Sequence, residues 1–267
     1  MAAKVDNEIK GRLALVTGGS GGQVTMFPLY SIGAACARDL WQQGASLALT
    51  CHKNRAAADA LAQELSAQDQ SRKISVHVAD MGGPPEGFEQ LFLDLETEHG
   101  QSGPDILIAN AGYGRRIPNI LDIPLDEFEY TLRVNLQAPF LMAKLSLPHM
   151  LRRHWGRVVF VSSIAAIGGG INGCHYAASK AGLTGMMKNL ANKHARVGIT
   201  FNDVAPAMIG DTGLIPDEKT VAGTAGDVKN IPVGRLGVPQ ECANVVTMLC
   251  KTGYMTGQSI LLSGGLK

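Results

Sequence analysis

The chain has 267 residues, of which 45% are hydrophobic and 18% charged, and its formal net charge is +1. That balance excludes a disordered chain, which would have too little apolar surface to bury, and a nucleic-acid binder that works through excess positive charge. The length is within reach of one hydrophobic core, and 32 glycines suit a fold with many strand-to-helix turns better than a helical bundle. Five cysteines form neither a CxxC pair nor a ligand spacing with histidine. No metal site or disulfide framework is expected, and a reducing compartment fits. Residues 1–19 carry Asp6 and Glu8 and lack the apolar stretch of a signal peptide, and no apolar run is long enough to span a bilayer. The expectation is a cytoplasmic protein without membrane contact, whose partner is a small molecule or another protein.

Taken in chain order, short apolar runs at 13–17, 47–51, 74–78, 106–109, 158–161, 200–204 and 259–262 predict buried strands. Between them, helical periodicity covers 32–43, 55–67, 85–99, 125–153, 176–196 and 239–250. Such regular alternation implies right-handed βαβ units: a doubly wound parallel α/β sheet of about seven strands with helices on both faces. No linker or repeat divides the chain, so residues 1–267 are expected to form one domain with 1–10 as an N-terminal extension. Residues 208–232 have weak periodicity and many breakers, and a loop of that length in a compact domain reads as a substrate lid with a short helix.

Ligands of an open parallel sheet bind beyond the carboxyl ends of its strands. After the first strand stands "TGGSGG", Thr17 to Gly22, whose glycines let backbone amides approach a pyrophosphate at a helix N-terminus. After the second strand comes "CHKNR", with Cys51 where a carboxylate would accept the ribose hydroxyls of NAD, followed by His52, Lys53 and Arg55. Cations there can pair with a 2'-phosphate, so NADPH or NADP+ is expected over NAD. In "VSSIAAIGGGINGCHYAASKAG", Tyr176 and Lys180 are four apart on one helix face, and Ser162 and Ser163 end the preceding strand. A phenol of pKa about 10 needs a nearby cation to become a useful acid or base, and Lys180 is placed to lower it.

Together, the glycine loop, Asp80, "NAG" at Asn110, Ala111 and Gly112, Asn135, Ser163, Tyr176-x-x-x-Lys180, "VAPAMI" and "TGQSILLSGG" follow the order and spacing of the short-chain dehydrogenase/reductase family, which residues 10–267 resemble. Within that family the chain looks most like the 3-oxoacyl-(acyl-carrier-protein) reductases of fatty acid biosynthesis. The resemblance implies a Rossmann-type fold and reduction of a carbonyl, such as a 3-oxoacyl thioester, to a hydroxyl. Ser163 would polarise the carbonyl, with Ser162 a spectator, and Tyr176 would donate the proton. Lys180 would lower the tyrosine pKa and bind the nicotinamide ribose, and Asn135 would hold a water of the proton relay. The cofactor would be met by Thr17, Gly18, Ser20, Gly22, Ile32, Gly33, His52, Lys53, Asp80 (adenine), Asn110, Ala111, Gly112, Pro206 and Ile209 (carboxamide), together with Tyr176 and Lys180. The segment around Met255 and Thr256 implies a homotetramer. Arg152, Arg153, Arg157 and Arg196 form a candidate basic patch for an acidic acyl carrier protein, or else a solvated helix end.

The sequence departs from the family pattern at Ala207, where glycine is usual, and more sharply at residues 23–31, "QVTMFPLYS". Removing these nine residues restores an uninterrupted TGxxxGIG. Closing a flexible loop of nine residues costs about 2 kcal/mol, which does not forbid folding. Ser31 can cap the helix anew and leave Ile32 and Gly33 in place. The clean excision favours a retained intron or faulty gene model as its origin. Two other readings stand beside the reductase: a sugar, polyol or secondary-metabolite dehydrogenase of the same family, and a non-catalytic binding or scaffold protein disabled by the insertion.

Overall fold

The computed structural model describes residues 5–19 and 31–267. Seven parallel strands form one sheet in the order β3-β2-β1-β4-β5-β6-β7. They are β1 Leu13–Val16, β2 Ser46–Cys51, β3 Ile74–Val78, β4 Ile106–Ala109, β5 Gly156–Val161, β6 Ile199–Pro206 and β7 Ser259–Leu262. Strands β1, β4 and β5 are buried along their whole length, as expected of a parallel sheet covered on both faces. Alternate side chains divide the core. Ala14 and Val16 face α1 (Ile32–Gln42), α2 (Arg55–Ser66) and α8 (Pro239–Cys250), while Leu13 and Leu15 face α3 (Pro85–His99), α5 (Ala138–Arg153) and α7 (Cys174–His194). Between β1 and β4 the strand order reverses, which opens a crevice at their carboxyl ends.

Helix ends follow local chemistry. Ser31 caps α1, its Oγ accepting from Ala34 N at 3.1 Å, and Asn54 caps α2 in the same way through Ala57 N at 3.2 Å. Pro85 and Pro239 occupy first turns, where a missing N–H is harmless. Gly100 ends α3 in the left-handed conformation.

Three departures from the sequence expectation occur. The segment 125–153 is one periodic run in sequence, yet it folds as α4 (Leu125–Leu132), a π-helical turn (Arg133–Gln137) and α5. The π turn takes up one extra residue between two segments that are each periodic, and a slip of a single position is small against the spread of apolar residues along the run. A short helix, α6 (Ala165–Gly168), follows Ser163 without a periodic signal of its own. Residues 208–232 contain two 3-10 turns, Glu218–Val221 and Val228–Asn230, and pack Met208, Val221 and Ile231 with Ile164 and Ala207 into a separate small core.

Arg157 is also corrected. It is 3% exposed, stacks on Trp155 at 4.3 Å, and donates to the carbonyls of Cys250, Gly156, Gly198 and Asp6. Arg152, Arg153 and Arg196 are exposed, but they lie where α5 and α7 run out, beside the amino ends of β5 and β6. The four arginines therefore form no common patch beside the crevice. Arg152, Arg153 and Arg157 lie at the return from α5 into β5 and Arg196 at the return from α7 into β6, both at the opposite end of the sheet.

The Ser31 cap satisfies one of the otherwise unpaired amides of α1. Ser31→Ala is expected to lower unfolding free energy by about 1 kcal/mol, checked by the denaturant midpoint at unchanged slope.

Candidate active site

The turn after β1 is bound to β2 and β4 by an interlocking set of hydrogen bonds. Thr17 Oγ1 accepts from the amides of Asn110 and Ala111, each at 3.0 Å, while Asn110 Nδ2 donates to the carbonyls of Thr17 at 2.9 Å and Gly18 at 3.3 Å. From the other side, Thr50 Oγ1 accepts from Gly18 N at 3.2 Å and Thr50 O from Gly19 N at 2.9 Å. Gly18 has φ +68°, a conformation that strains residues with a Cβ. Gly33 in the first turn of α1 is pressed so closely on this turn that a Cβ would lie 2.5 Å from Gly18 O and 2.7 Å from Asn110 Nδ2. Ile32 is half-buried and packs into the α1 side of the core. Ser20, Gly22 and residues 23–30 lie outside the described residues.

At the end of β2, Cys51 turns inward, its Sγ donating to His77 O at 3.6 Å. His52 and Lys53 are exposed, and His52 Nε2 stands 3.8 Å from Asp80 Oδ2. Asp80 Oδ1 accepts from Gly82 N at 2.8 Å. Pro206 closes β6, and its carbonyl accepts from Ile164 N at 3.0 Å. Ile209 bridges to Gly237, is 5% exposed, and its carbonyl accepts from Thr212 Oγ1 at 3.0 Å. Met208, just before it, holds φ +51°, an uncommon left-handed value for a residue with a side chain.

On α7, Tyr176 and Lys180 are both buried, at 7% and 4% exposure. Lys180 Nζ donates to Val161 O at 2.9 Å and stands 5.8 Å from the centroid of the Tyr176 ring. Ser163 stands beside the Tyr176 hydroxyl, near enough to draw the phenol's pKa down. Ser163 Oγ also accepts from Ala165 N at 3.1 Å, so α6 fixes its direction. Ser162 points the other way, with Oγ donating to Asp203 Oδ1 at 2.7 Å.

Asn135, fully buried, sits in the π turn. Its Oδ1 accepts from Tyr113 N at 2.8 Å, and its Nδ2 donates to Tyr113 O at 2.8 Å and Ser179 Oγ at 3.1 Å. Both of its N–H groups are therefore committed to protein. A Cβ placed on Gly112 would fall 3.4 Å from Lys180 Nζ and 3.6 Å from Asn135 Oδ1, ordinary van der Waals separations that put the glycine directly beside both groups.

Burial pushes the Tyr176 phenol up to about 12, opposed only by Ser163. Burial likewise brings the Lys180 ammonium down to about 8, opposed by the charge of Asp203. Lys180 Nζ donates to the Val161 carbonyl, and desolvation is the larger influence on both groups. Leu214 of the 208–232 segment and Tyr176 converge on Gly114, where a Cβ would lie 3.0 Å from Leu214 Cδ2 and 3.2 Å from Tyr176 Cε2.

Several residues at the site carried no sequence signal. Glu127, 8% exposed, accepts from Tyr113 Oη at 3.2 Å and Arg115 at 3.3 Å. His175 bonds Arg115 O through Nε2 at 3.1 Å and so ties the loop after β4 to α7. Thr50 and Asp203 were also unmarked; each looked like an ordinary strand residue.

The residues fit a phosphorylated dinucleotide. The first turn of α1 has no acidic residue to compete for its amides, the Gly18 and Gly33 contact leaves no room for side chains at the turn, and β2 ends in exposed cations.

A family model described as enoyl-(acyl carrier protein) reductase matches residues 29–267. The chain is 31% identical to the 3-oxoacyl-(acyl-carrier-protein) reductase FabG of Aquifex aeolicus, over 97% of this chain and 98% of that protein. It is 33% identical to the protein of the same name from Escherichia coli, over 96% and 98%. A crystal structure of a blue fluorescent protein from a metagenomic library, in complex with NADPH, superposes with a TM-score of 0.83 at 31% identity, covering 97% of this chain and 99% of that one. With sheet order, site geometry and near-complete coverage in agreement, the chain belongs to the short-chain dehydrogenase/reductase family.

Proposed function

We propose that the protein is an NADPH-dependent carbonyl reductase acting on a 3-oxoacyl thioester. The observation that carries this reading is the convergence of Ser163, Tyr176 and Lys180 beside a turn shaped for a dinucleotide. Thr17, Gly18, Gly33, Asn110, Ala111 and Gly112 would form the wall of the cofactor cleft, with Ser20 and Gly22 completing the loop. His52 and Lys53 would meet the 2'-phosphate, Asp80 the adenine, and Pro206 and Ile209 the carboxamide side. When bound, NADPH supplies a hydride to the carbonyl carbon.

The chain's own residues do the rest. Ser163 and the Tyr176 hydroxyl hold the carbonyl oxygen, and Tyr176 hands over its proton as that oxygen becomes an alkoxide. A phenol raised to about 12 stays protonated until that moment, as a donor must. Lys180 stabilises the phenolate that remains, and a water held beside Lys180 and Asn135 would return a proton. Opening of the 208–232 lid around Leu214 would admit the acyl chain and partly rehydrate Tyr176.

The chain would work as one NAD(P)-binding domain, with residues 23–31 as an insertion. Ser31 capping α1 and Gly33 lying on Gly18 support a cleft usable despite it, and so favour an enzyme over a disabled scaffold. A homotetramer is supported by the partly exposed edge strand β7, the exposed Tyr254 and Leu261, and an apolar groove lined by Leu132, Leu136, Phe140 and Met186. Among the described residues no helix is long and apolar enough to cross a membrane, consistent with a cytoplasmic enzyme meeting acyl groups on a carrier protein.

Tyr176→Phe is expected to lower kcat about a hundredfold to ten-thousandfold on a 3-oxoacyl thioester while the Kd for NADPH, read by fluorescence titration, changes little. Near-native turnover would remove Tyr176 as proton donor. Because Lys180 must carry its proton and titrates near 8, kcat/KM is expected to fall as pH rises through that value, with the phenol still protonated; a profile flat to pH 10 contradicts this. Replacing His52 and Lys53 together by alanine is expected to weaken NADPH about tenfold or more and leave NADH nearly unchanged. Failure of the native chain to bind either nucleotide would favour the scaffold reading.

A further inference from the structure

The turn that follows β7, Ser263 to Leu266, has no part in the reaction, yet β7 and this turn hold both ends of the 208–232 lid. Ahead of the lid, Ala207 N donates to Leu262 O at 2.9 Å; behind it, Val233 N donates to Gly264 O at 3.1 Å. The two ends are thus fixed two residues apart, so the lid is a loop with both feet on one post. The post is itself closed, with Leu266 N donating to Ser263 O at 3.1 Å and Ser263 Oγ to Leu266 O at 2.8 Å. Gly264 and Gly265 take φ +60° and +95°, values that a residue with a Cβ resists. Both also lie tight against the far foot of the lid. A Cβ on Gly264 would fall 2.8 Å from Ile231 Cγ2, and one on Gly265 would fall 2.8 Å from Pro232 Cγ.

This turn delivers Leu266, half-buried, to the small core formed by Met208, Val221 and Ile231 of the lid with Ile164, the neighbour of Ser163. Between its feet the lid has two short 3-10 turns, so its hold on the site depends on the apolar surface buried in that core. We propose that Leu266 is a positioning residue for the lid: it sets how closely residues 208–232 sit over the crevice, and with them Leu214, which borders Gly114 together with Tyr176. The two larger cores on the faces of the sheet do not include Leu266, so truncating it loosens the lid and spares the sheet. The proposal rests on the reading of 208–232 as the lid of a thioester reductase.

Trypsin reads the lid without turnover, because Lys219 and Lys229 are exposed within it, whereas Lys188 lies inside α7. Cleavage follows the population of the open form. Leu266→Ala is expected to speed cleavage after Lys219 and Lys229 about tenfold and to leave cleavage after Lys188 unchanged. Native rates at the lid sites overturn the proposal, and so does equal acceleration at all three sites, the mark of a general loss of stability. KM for a 3-oxoacyl thioester is expected to rise about tenfold, with kcat and the Kd for NADPH changing less than about twofold; an unchanged KM overturns the proposal. Leu266→Met, which refills the volume, is expected to restore both readouts. If Leu266→Ala does not fold, Gly265→Ala, which presses a Cβ onto Pro232, is expected to give the same two changes, and their absence overturns the proposal. A native chain inactive on every 3-oxoacyl thioester would defeat the reductase reading instead, leaving the cleavage pattern to decide the role of Leu266.

Discussion

The bond from Lys180 Nζ to the Val161 carbonyl, 2.9 Å long and closed to water, is the constraint on which the site depends. It brings a helix bearing an ammonium against the carboxyl end of a fully buried strand, where a charge is expensive unless oriented groups surround it. Tyr176 follows because it lies one turn earlier on the same helix. Ser163 follows because it is two residues beyond the carbonyl that Lys180 holds. The apolar sheet provides the rigidity, and the polar groups at its carboxyl edge are affordable because the core beneath them is continuous.

Around that bond the polar groups are arranged in depth. Thr17 and Asn110 join β1 to β4 across the point where strand order reverses. Asn135 joins the loop after β4 to α7 through Tyr113 and Ser179. The π turn gives Asn135 its place: it takes up one extra residue between α4 and α5, and the amide of Asn135 is buried there. Burial then raises the phenol and lowers the ammonium, which favours a protonated tyrosine beside a lysine able to exchange its proton near neutral pH.

Much of this was legible in the chain. The apolar runs marked the strand cores because a sheet covered on both faces needs continuous hydrophobic segments, and their boundaries differ from the structure by a few residues where β5 starts earlier, at Gly156 and Arg157, and β6 runs on through Ala205 and Pro206. Tyr176 and Lys180 were legible because helical spacing alone puts residues four apart on one face. Arg157 was misread because a charged side chain in a sequence gives no sign of whether backbone carbonyls and an indole await it. Asp203 was invisible because an aspartate inside a strand run looks like an interruption until Ser162, Thr184 and Ser259, far apart in sequence, are seen to meet it.

The sequence by itself determined the alternation of strand and helix, the family, and the residue types at the crevice, since these rest on local periodicity and on motif order. The tertiary structure alone decided that Gly33 is pressed onto Gly18, that Lys180 donates to the Val161 carbonyl, and that burial is the larger influence on the ionisation of the pair. Desolvation and buried hydrogen bonds are properties of an environment assembled from distant segments, so they have no expression in any one stretch of the chain.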